Sequence, residues 1–146
     1  MSAMSDGYLL DVNVLLALYD PRHVHHHRAR NWFSAVEVWA TTPMTETAFV
    51  RLLSNPAVSG EETPPVEAIA ALNTIRHAPG HRFVLDDSSL AHPHLDLGSL
   101  VGFRQVTDFH LLNLAVRAGL HLATFDARLR LALSPDDREH VTLIPV

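Results

Sequence analysis

Short apolar runs alternate with helix-patterned stretches along nearly the whole sequence, and this alternation constrains the fold more than any other feature. "YLLDV" (8–12) is a short apolar run carrying Asp11 near its end. "VLLAL" (14–18) and "HHHRARNWFSAV" (25–36) are helical, with Ala29, Trp32, Phe33 and Val36 spaced for one buried face. "VEVWATT" (36–42) reads as a strand, and Pro43 stands at the start of the next helix. "TETAFVRLLS" (45–54) is a helix stopped near Asn55–Pro56, and "AVSGEETPP" (57–65) is a loop. "VEAIAALNTIRHA" (66–78) is a helix closed by Pro79–Gly80, and "HRFVL" (81–85) is a third strand. Residues 86–105 are irregular. "TDFHLLNLAVRAG" (107–119) is a helix with Thr107 as candidate N-cap and Gly119 as its terminator. "LHLATF" (120–125) and "VTLIPV" (141–146) supply the fourth and fifth strands.

Strands that alternate with helices build a parallel sheet covered on both faces, an α/β fold arranged as a three-layer α/β/α sandwich. The crossovers are right-handed, so the carboxyl ends of the strands and the starts of the following helices gather at one edge, where such sheets bind ligands. The 146 residues fit one domain, 1–146, large enough to bury about 68–70% of the unfolded surface. The longest apolar runs are too short to span a bilayer. The opening "MSAMSDG" has no basic region followed by an apolar one, so no leader is expected.

Four acids fall at that one edge. Asp11 ends a strand, Glu46 sits in the first turn of a helix that follows a strand, Asp108 sits in the first turn of another, and Asp126 follows the strand to which that last helix leads. A helix antiparallel to its next strand places its own start beside that strand's far end, so Asp108 and Asp126 are neighbours in space. Each acid also has an ordinary role: Asp108 and Glu46 as favourable charges at helix starts, Asp11 and Asp126 as caps. Capping alone does not require four acids at one edge. Helix N-termini compensate clustered carboxylates by only ~0.3–1 kcal/mol each. A divalent cation compensates far more, and all-oxygen ligands favour Mg²⁺ or Mn²⁺ over zinc. A metal held by carboxylates with open positions suits phosphodiester cleavage. Asp86 and Asp87 also follow a strand, but one expected at the sheet's border, where loop or cap roles suffice.

Composition removes competing chemistries. The chain has no cysteine, which excludes disulfides, thiol nucleophiles and cysteine-based zinc sites and fits a cytoplasmic protein. Its eleven basic residues are all arginine. Without lysine, Walker-type phosphate loops and Schiff-base enzymes are excluded, and receiver-like or dehalogenase-like phosphotransfer is disfavoured. A net charge of −5 argues against a protein that coats nucleic acid non-specifically.

"LLDVNVLLAL", "TTPMTETAFVRLLSNP", "RQVTDFHLLNLAVRAG" and "LATFDARL" resemble, in order, the successive blocks of PIN-domain nucleases, and most closely the VapC-type ribonuclease toxins of toxin–antitoxin pairs. The resemblance runs from about Tyr8 to the C-terminal strand. It places the family's acids at Asp11, Glu46, Asp108 and Asp126, with Asn13 and Thr124 at supporting polar positions. It implies a Mg²⁺-dependent endoribonuclease, a five-stranded parallel sheet of order 3-2-1-4-5, a homodimer, and inhibition by a small cognate antitoxin. An inhibitor of a lysine-free acidic pocket is expected to insert an arginine among the carboxylates. Two alternatives stay open: a PIN-type nuclease of RNA processing or repair without an antitoxin, and a non-catalytic module whose acids ligate a structural cation.

"HVHHHRAR" contains His23, His25, His26 and His27; His23 and His27 have a metal-binding spacing, but an exposed histidine-rich helix start explains the run better. Arg22, Arg28 and Arg30 suit RNA phosphates and solvent equally. Trp32, Phe33, Trp39 and Phe49 read as core rather than as base-stacking platforms.

Overall fold

The computed structural model describes residues 7–145; the expectation of no leader rests mostly on residues 1–6, and the last residue of the fifth apolar run is 146, so both reach outside that range. The elements run in chain order as β1 (Tyr8–Leu10), α1 (Val12–Tyr19), α2 (His26–Phe33), β2 (Trp39–Thr41), α3 (Pro43–Leu53), α4 (Pro56–Ser59), α5 (Pro65–Arg76), β3 (His81–Phe83), α6 (Val106–Arg117), β4 (His121–Thr124), α7 (Ala127–Ala132) and β5 (Val141–Leu143). The five strands are all parallel, in the order β3-β2-β1-β4-β5, as the family resemblance implied. The border position expected for β3 is observed: Arg82 and Phe83 are exposed, whereas Trp39, Ala40 and Thr41 of β2 are fully buried.

Two apolar clusters fill the space on either side of the sheet. One gathers Leu9, Leu122 and Val141 with Phe109, Leu112 and Leu129 of α6 and α7. The other gathers Leu10 and Ala123 with Leu15, Phe49, Ala68 and Ala71 of α1, α3 and α5. Adjacent residues in β1 and β4 therefore serve opposite clusters, which explains why the strands read as continuous apolar runs. Trp39 and Phe49 are core residues with no exposed surface, and Trp32 and Phe33 pack half-buried against the second cluster. No helix among the described residues is long and apolar enough to cross a membrane.

Several boundaries differ from the sequence reading for identifiable reasons. Thr107 does not cap α6; a 3₁₀ turn over Phe103–Gln105 runs directly into that helix and places Thr107 inside its first turn. The stretch read as a loop after Asn55 begins with a turn of helix, because the Asn55 side chain accepts from the Ala57 amide at 3.0 Å and Pro56 is pre-set for a first helical position. Gly119 ends α6 with φ +73, as expected of a left-handed terminator. Gly80 has φ +86, and a Cβ there would lie 2.0 Å from the Glu37 carbonyl oxygen, so the turn before β3 admits only glycine.

The irregular stretch after β3 is pinned to α6. Asp86 accepts from His110 Nε2 at 2.9 Å, Asp87 pairs with Arg117, and the buried Asn113 side chain accepts from the His94 amide at 2.7 Å and donates to the Ser89 carbonyl at 3.2 Å. Asp86 and Asp87 thus tie a loop to a helix.

Candidate active site

Parallel pairing of β1 with β4 sets Leu10 beside Ala123. The Asp11 amide then donates to the Ala123 carbonyl at 3.0 Å, extending the ladder by one step and delivering Asp11 and Thr124 to the same edge. Strand order reverses between β1 and β4, so this edge is the switch point of the sheet.

Asp11 caps α1. Its Oδ1 accepts from the Val12 amide at 2.7 Å, and its Oδ2 accepts from the Thr124 hydroxyl at 2.9 Å. The same Thr124 oxygen accepts from the Asp126 amide at 3.1 Å. Thr124 is buried, and its one hydroxyl couples the acid of one loop to the backbone of the other. Asp126 caps α7, with Oδ1 accepting from the Arg128 amide at 2.9 Å and lying 3.4 Å from Arg128 Nε.

Asp108, in the first turn of α6, completes the group. Its carboxyl is pushed up to about 6, first by burial, then by the charges of Asp11 and Asp126, with Arg128 acting in the opposite direction. Burial also raises the Asp11 carboxyl, and so does the Asp126 charge; the Thr124 and Val12 hydrogen bonds offset part of this. Three acids distant in sequence are therefore electrostatic neighbours, as the topology predicts. A cavity of about 380 Å³ opens on Asp108 and Asp126 but not on Asp11, and is lined also by Arg104, Gln105, Arg128 and Leu129.

Glu46 shares the sheet edge but not the group. Its Oε2 accepts from the Thr41 hydroxyl at 2.5 Å and lies 3.5 Å from Arg76 Nε. Thr41 gives its single proton to Glu46, so its contact of 2.7 Å with His81 Nε2 has the ring nitrogen donating. Burial and the Arg76 charge lower the His81 value, which favours the neutral ring. Among the described residues, no three or more acids and histidines stand close enough to enclose an ion jointly. Asn13 is exposed in the first turn of α1, two residues beyond the Asp11 cap.

The histidine-rich segment serves packing. His26 Nδ1 lies 2.7 Å from the Ala17 carbonyl, and His25 stacks on Phe125 with ring centres 4.6 Å apart. His27 is exposed. Arg22 pairs with Asp20 and Glu61. The residues that sequence reasoning missed are Arg104, Gln105 and Arg128 around the cavity, and Thr41, Arg76 and His81 around Glu46. Three of these, Arg104, Gln105 and Arg128, lie within two to four residues of predicted acids; the Glu46 partners come from β2, α5 and β3 and leave no local pattern.

The sequence profile of the PIN domain matches residues 8–132. Ribonuclease VapC38 of Mycobacterium tuberculosis (strain ATCC 25618 / H37Rv) is 49% identical over 121 residues, covering 82% of this chain and 84% of the relative. Ribonuclease VapC39 of the same strain is 47% identical over 124 residues, 83% of this chain and 89% of the relative. The crystal structure of VapBC2 from Rickettsia felis bound to a DNA fragment from their promoter contains a chain that superposes with a TM-score of 0.60 at 11% identity, over 94% of this chain and 96% of that one, a likeness of fold.

Proposed function

The chain belongs to the PIN-domain family, in its VapC-type branch, and on that premise we propose that it is a Mg²⁺-dependent endoribonuclease, the toxin of a toxin–antitoxin pair. The observation that carries this reading is the trio Asp11, Asp108 and Asp126 at the β1/β4 switch point, with Thr124 linking Asp11 to Asp126 and Asp108 feeling the charge of both. No three of these groups enclose an ion as they stand, but their donor chemistry suits a hard divalent cation. The donors are all oxygen, and the Asp108 carboxyl is raised to about 6 in part by its acidic neighbours, an excess of negative charge that a dication relieves.

Asp11 and Asp108 would be the principal ligands, with Asp126 and Glu46 completing the set directly or through water; Mn²⁺ has the same donor preferences. When bound, the ion supplies positive charge at the scissile phosphate and acidifies a water. The chain's own residues do the rest. The Val12 amide and the Thr124 hydroxyl fix both oxygens of Asp11. Asp126 is held by the α7 N-terminus, and Arg128 lines the cavity beside it. Asn13 would contact substrate or a second-layer water from the exposed start of α1.

RNA as substrate and a small antitoxin as partner follow from the VapC-type relatives. Homodimerisation follows from the family resemblance, and the cysteine-free composition suits the cytoplasm. The deciding experiment maps cleavage of total RNA by the purified protein with Mg²⁺, beside Asp11→Asn and Asp108→Asn. Both variants are expected to fall to background in Mg²⁺ while remaining folded, since asparagine caps α1 about as well as Asp11 does and Asp108 caps no helix. Asp86→Asn, which alters only the loop tether to His110, is expected to cleave normally. Near wild-type cleavage by either of the first two variants defeats the assignment.

A further inference from the structure

Phe103 stands out against the burial of the other rings. It is 82% exposed, whereas the next most exposed phenylalanine and tyrosine, Phe83 and Tyr19, are 42% and 41% exposed. Phe83 is covered by the Arg76 guanidinium 4.9 Å from its ring centre. Phe103 has no such lid beyond its own neighbour Arg104, whose guanidinium carbon lies 5.5 Å from the ring centre. Arg104 in turn lines the acid cavity with Asp108 and Asp126. The 3₁₀ turn carrying both residues continues into α6, so their position relative to Asp108 is set by backbone hydrogen bonding. On the other side, Gly102 has no heavy atom within 4 Å of where a Cβ would be, and Val101 is 87% exposed. The ring therefore stands in open space beside the cavity.

The charges point the same way. The protein carries a net −5, and the cavity holds carboxylates that repel a phosphate. Two cations line that cavity, and Arg128 is already engaged by Asp126. Arg104 pairs with no carboxylate among the described residues. An exposed aromatic ring next to an uncommitted guanidinium is the combination that holds single-stranded nucleic acid: the ring stacks on a base, and the cation meets the backbone.

We propose that Phe103 and Arg104 form a single-stranded RNA subsite at the mouth of the acid cavity, Phe103 stacking one unpaired nucleobase and Arg104 holding an adjoining phosphate. The subsite deepens the ribonuclease reading and rests on it for the identity of the polymer. It accepts any base, because every base has a π-face, and it rejects duplex, whose bases are already stacked.

The test uses the full chain and a short single-stranded RNA with one cleavage site. Equilibrium binding is measured in EDTA, so that no turnover occurs, and kcat and KM are measured separately with Mg²⁺. Phe103→Ala is expected to weaken binding and raise KM about tenfold with kcat retained, and Phe103→Trp to restore both. Removing the base at one nucleotide position should cost the wild type the same tenfold and cost Phe103→Ala nothing further. Arg104→Ala should weaken binding and lower the slope of log affinity against log salt by about one. A Phe103→Ala protein that binds and cleaves like the wild type overturns the proposal and leaves the nuclease reading standing. So does a Phe103→Ala protein whose only defect is weaker antitoxin binding, which would make this a protein-docking surface. RNA binding that depends on Phe103 in a protein that never cleaves upholds the subsite and overturns the nuclease reading. A wild type that neither binds nor cleaves RNA overturns both.

Discussion

Arg76 and Glu46 are paired across α5 and α3, Nε to Oε2 at 3.5 Å, and with the Thr41 hydroxyl this pair accounts for the one predicted acid that stands outside the carboxylate trio. The Arg76 side chain is 40% exposed, so the pair is worth no more than an ordinary surface salt bridge, about 0–1 kcal/mol. It is an inexpensive restraint to break, and breaking it returns a full negative charge to the site edge.

Arg76→Gln is accordingly expected to leave the melting temperature nearly unchanged and to lower the Mg²⁺ concentration for half-maximal cleavage by about two- to fivefold. A Mg²⁺ titration of initial rates reads this directly. Identical titration curves would mean that Glu46 takes no part in holding the ion.

The raised Asp108 carboxyl makes stability depend on pH in a stated direction. Its folded value of about 6 lies above the ordinary 3.8, so folding takes up a proton in that range. The stability this contributes is complete below about pH 4 and is lost as pH rises through about 6. Asp11, also raised, acts in the same sense. His23 and His81, lowered chiefly by burial, act in the opposite sense below their ordinary 6.5, and they are common to wild type and variant. Melting curves in EDTA should therefore show the wild type losing ground to Asp108→Asn between about pH 4.5 and 7, with the gap narrowing when Mg²⁺ is added. Parallel curves across that range would count against the acid cluster.

Asp126 combines a favourable cap with unfavourable repulsion, and two substitutions separate them. Asp126→Asn keeps an oxygen for the Arg128 amide and removes the charge, so the metal-free protein should melt higher. Asp126→Ala also loses the cap, at a cost of about 1 kcal/mol, and should melt below Asp126→Asn. A clear drop in melting temperature for Asp126→Asn would make capping by a charged group the dominant role.

The cavity presents Asp108 and Asp126 beside Arg104 and Arg128, and a guanidinium from another chain can pair bidentately with a carboxylate and compete with a metal. On the proposed toxin reading, the inhibitory segment of an antitoxin is expected to place an arginine there. Its change to alanine should weaken inhibition more than loss of any other basic residue of that segment, measured as the antitoxin concentration that halves cleavage. Inhibition untouched by that change would indicate that the antitoxin simply covers the RNA path.

The sheet and its order were legible because each strand is a short run bounded by helix starts, and because matching blocks recur in family order from Tyr8 onward. Asp11, Asp108 and Asp126 were legible because topology alone carries them to one edge. The environment of Glu46 was not: Thr41 precedes it by five residues, but Arg76 and His81 arrive from a later helix and strand, and no local spacing encodes their approach. The start of α6 was misread for a similar reason. Thr107 has the chemistry of a cap, and the 3₁₀ turn over Phe103–Gln105 that displaces it carries no proline or asparagine to announce itself.

The hydrogen bond from Thr124 to Asp11 joins residues 113 positions apart. A chain still emerging from the ribosome has Asp11 long before it has Thr124, and β5 must then close the sheet beyond β4. No product of synthesis that stops short of Thr124 contains both halves of the site. A site of this design forms only after β4 has been made and has paired with β1, so every shorter intermediate of synthesis lacks it.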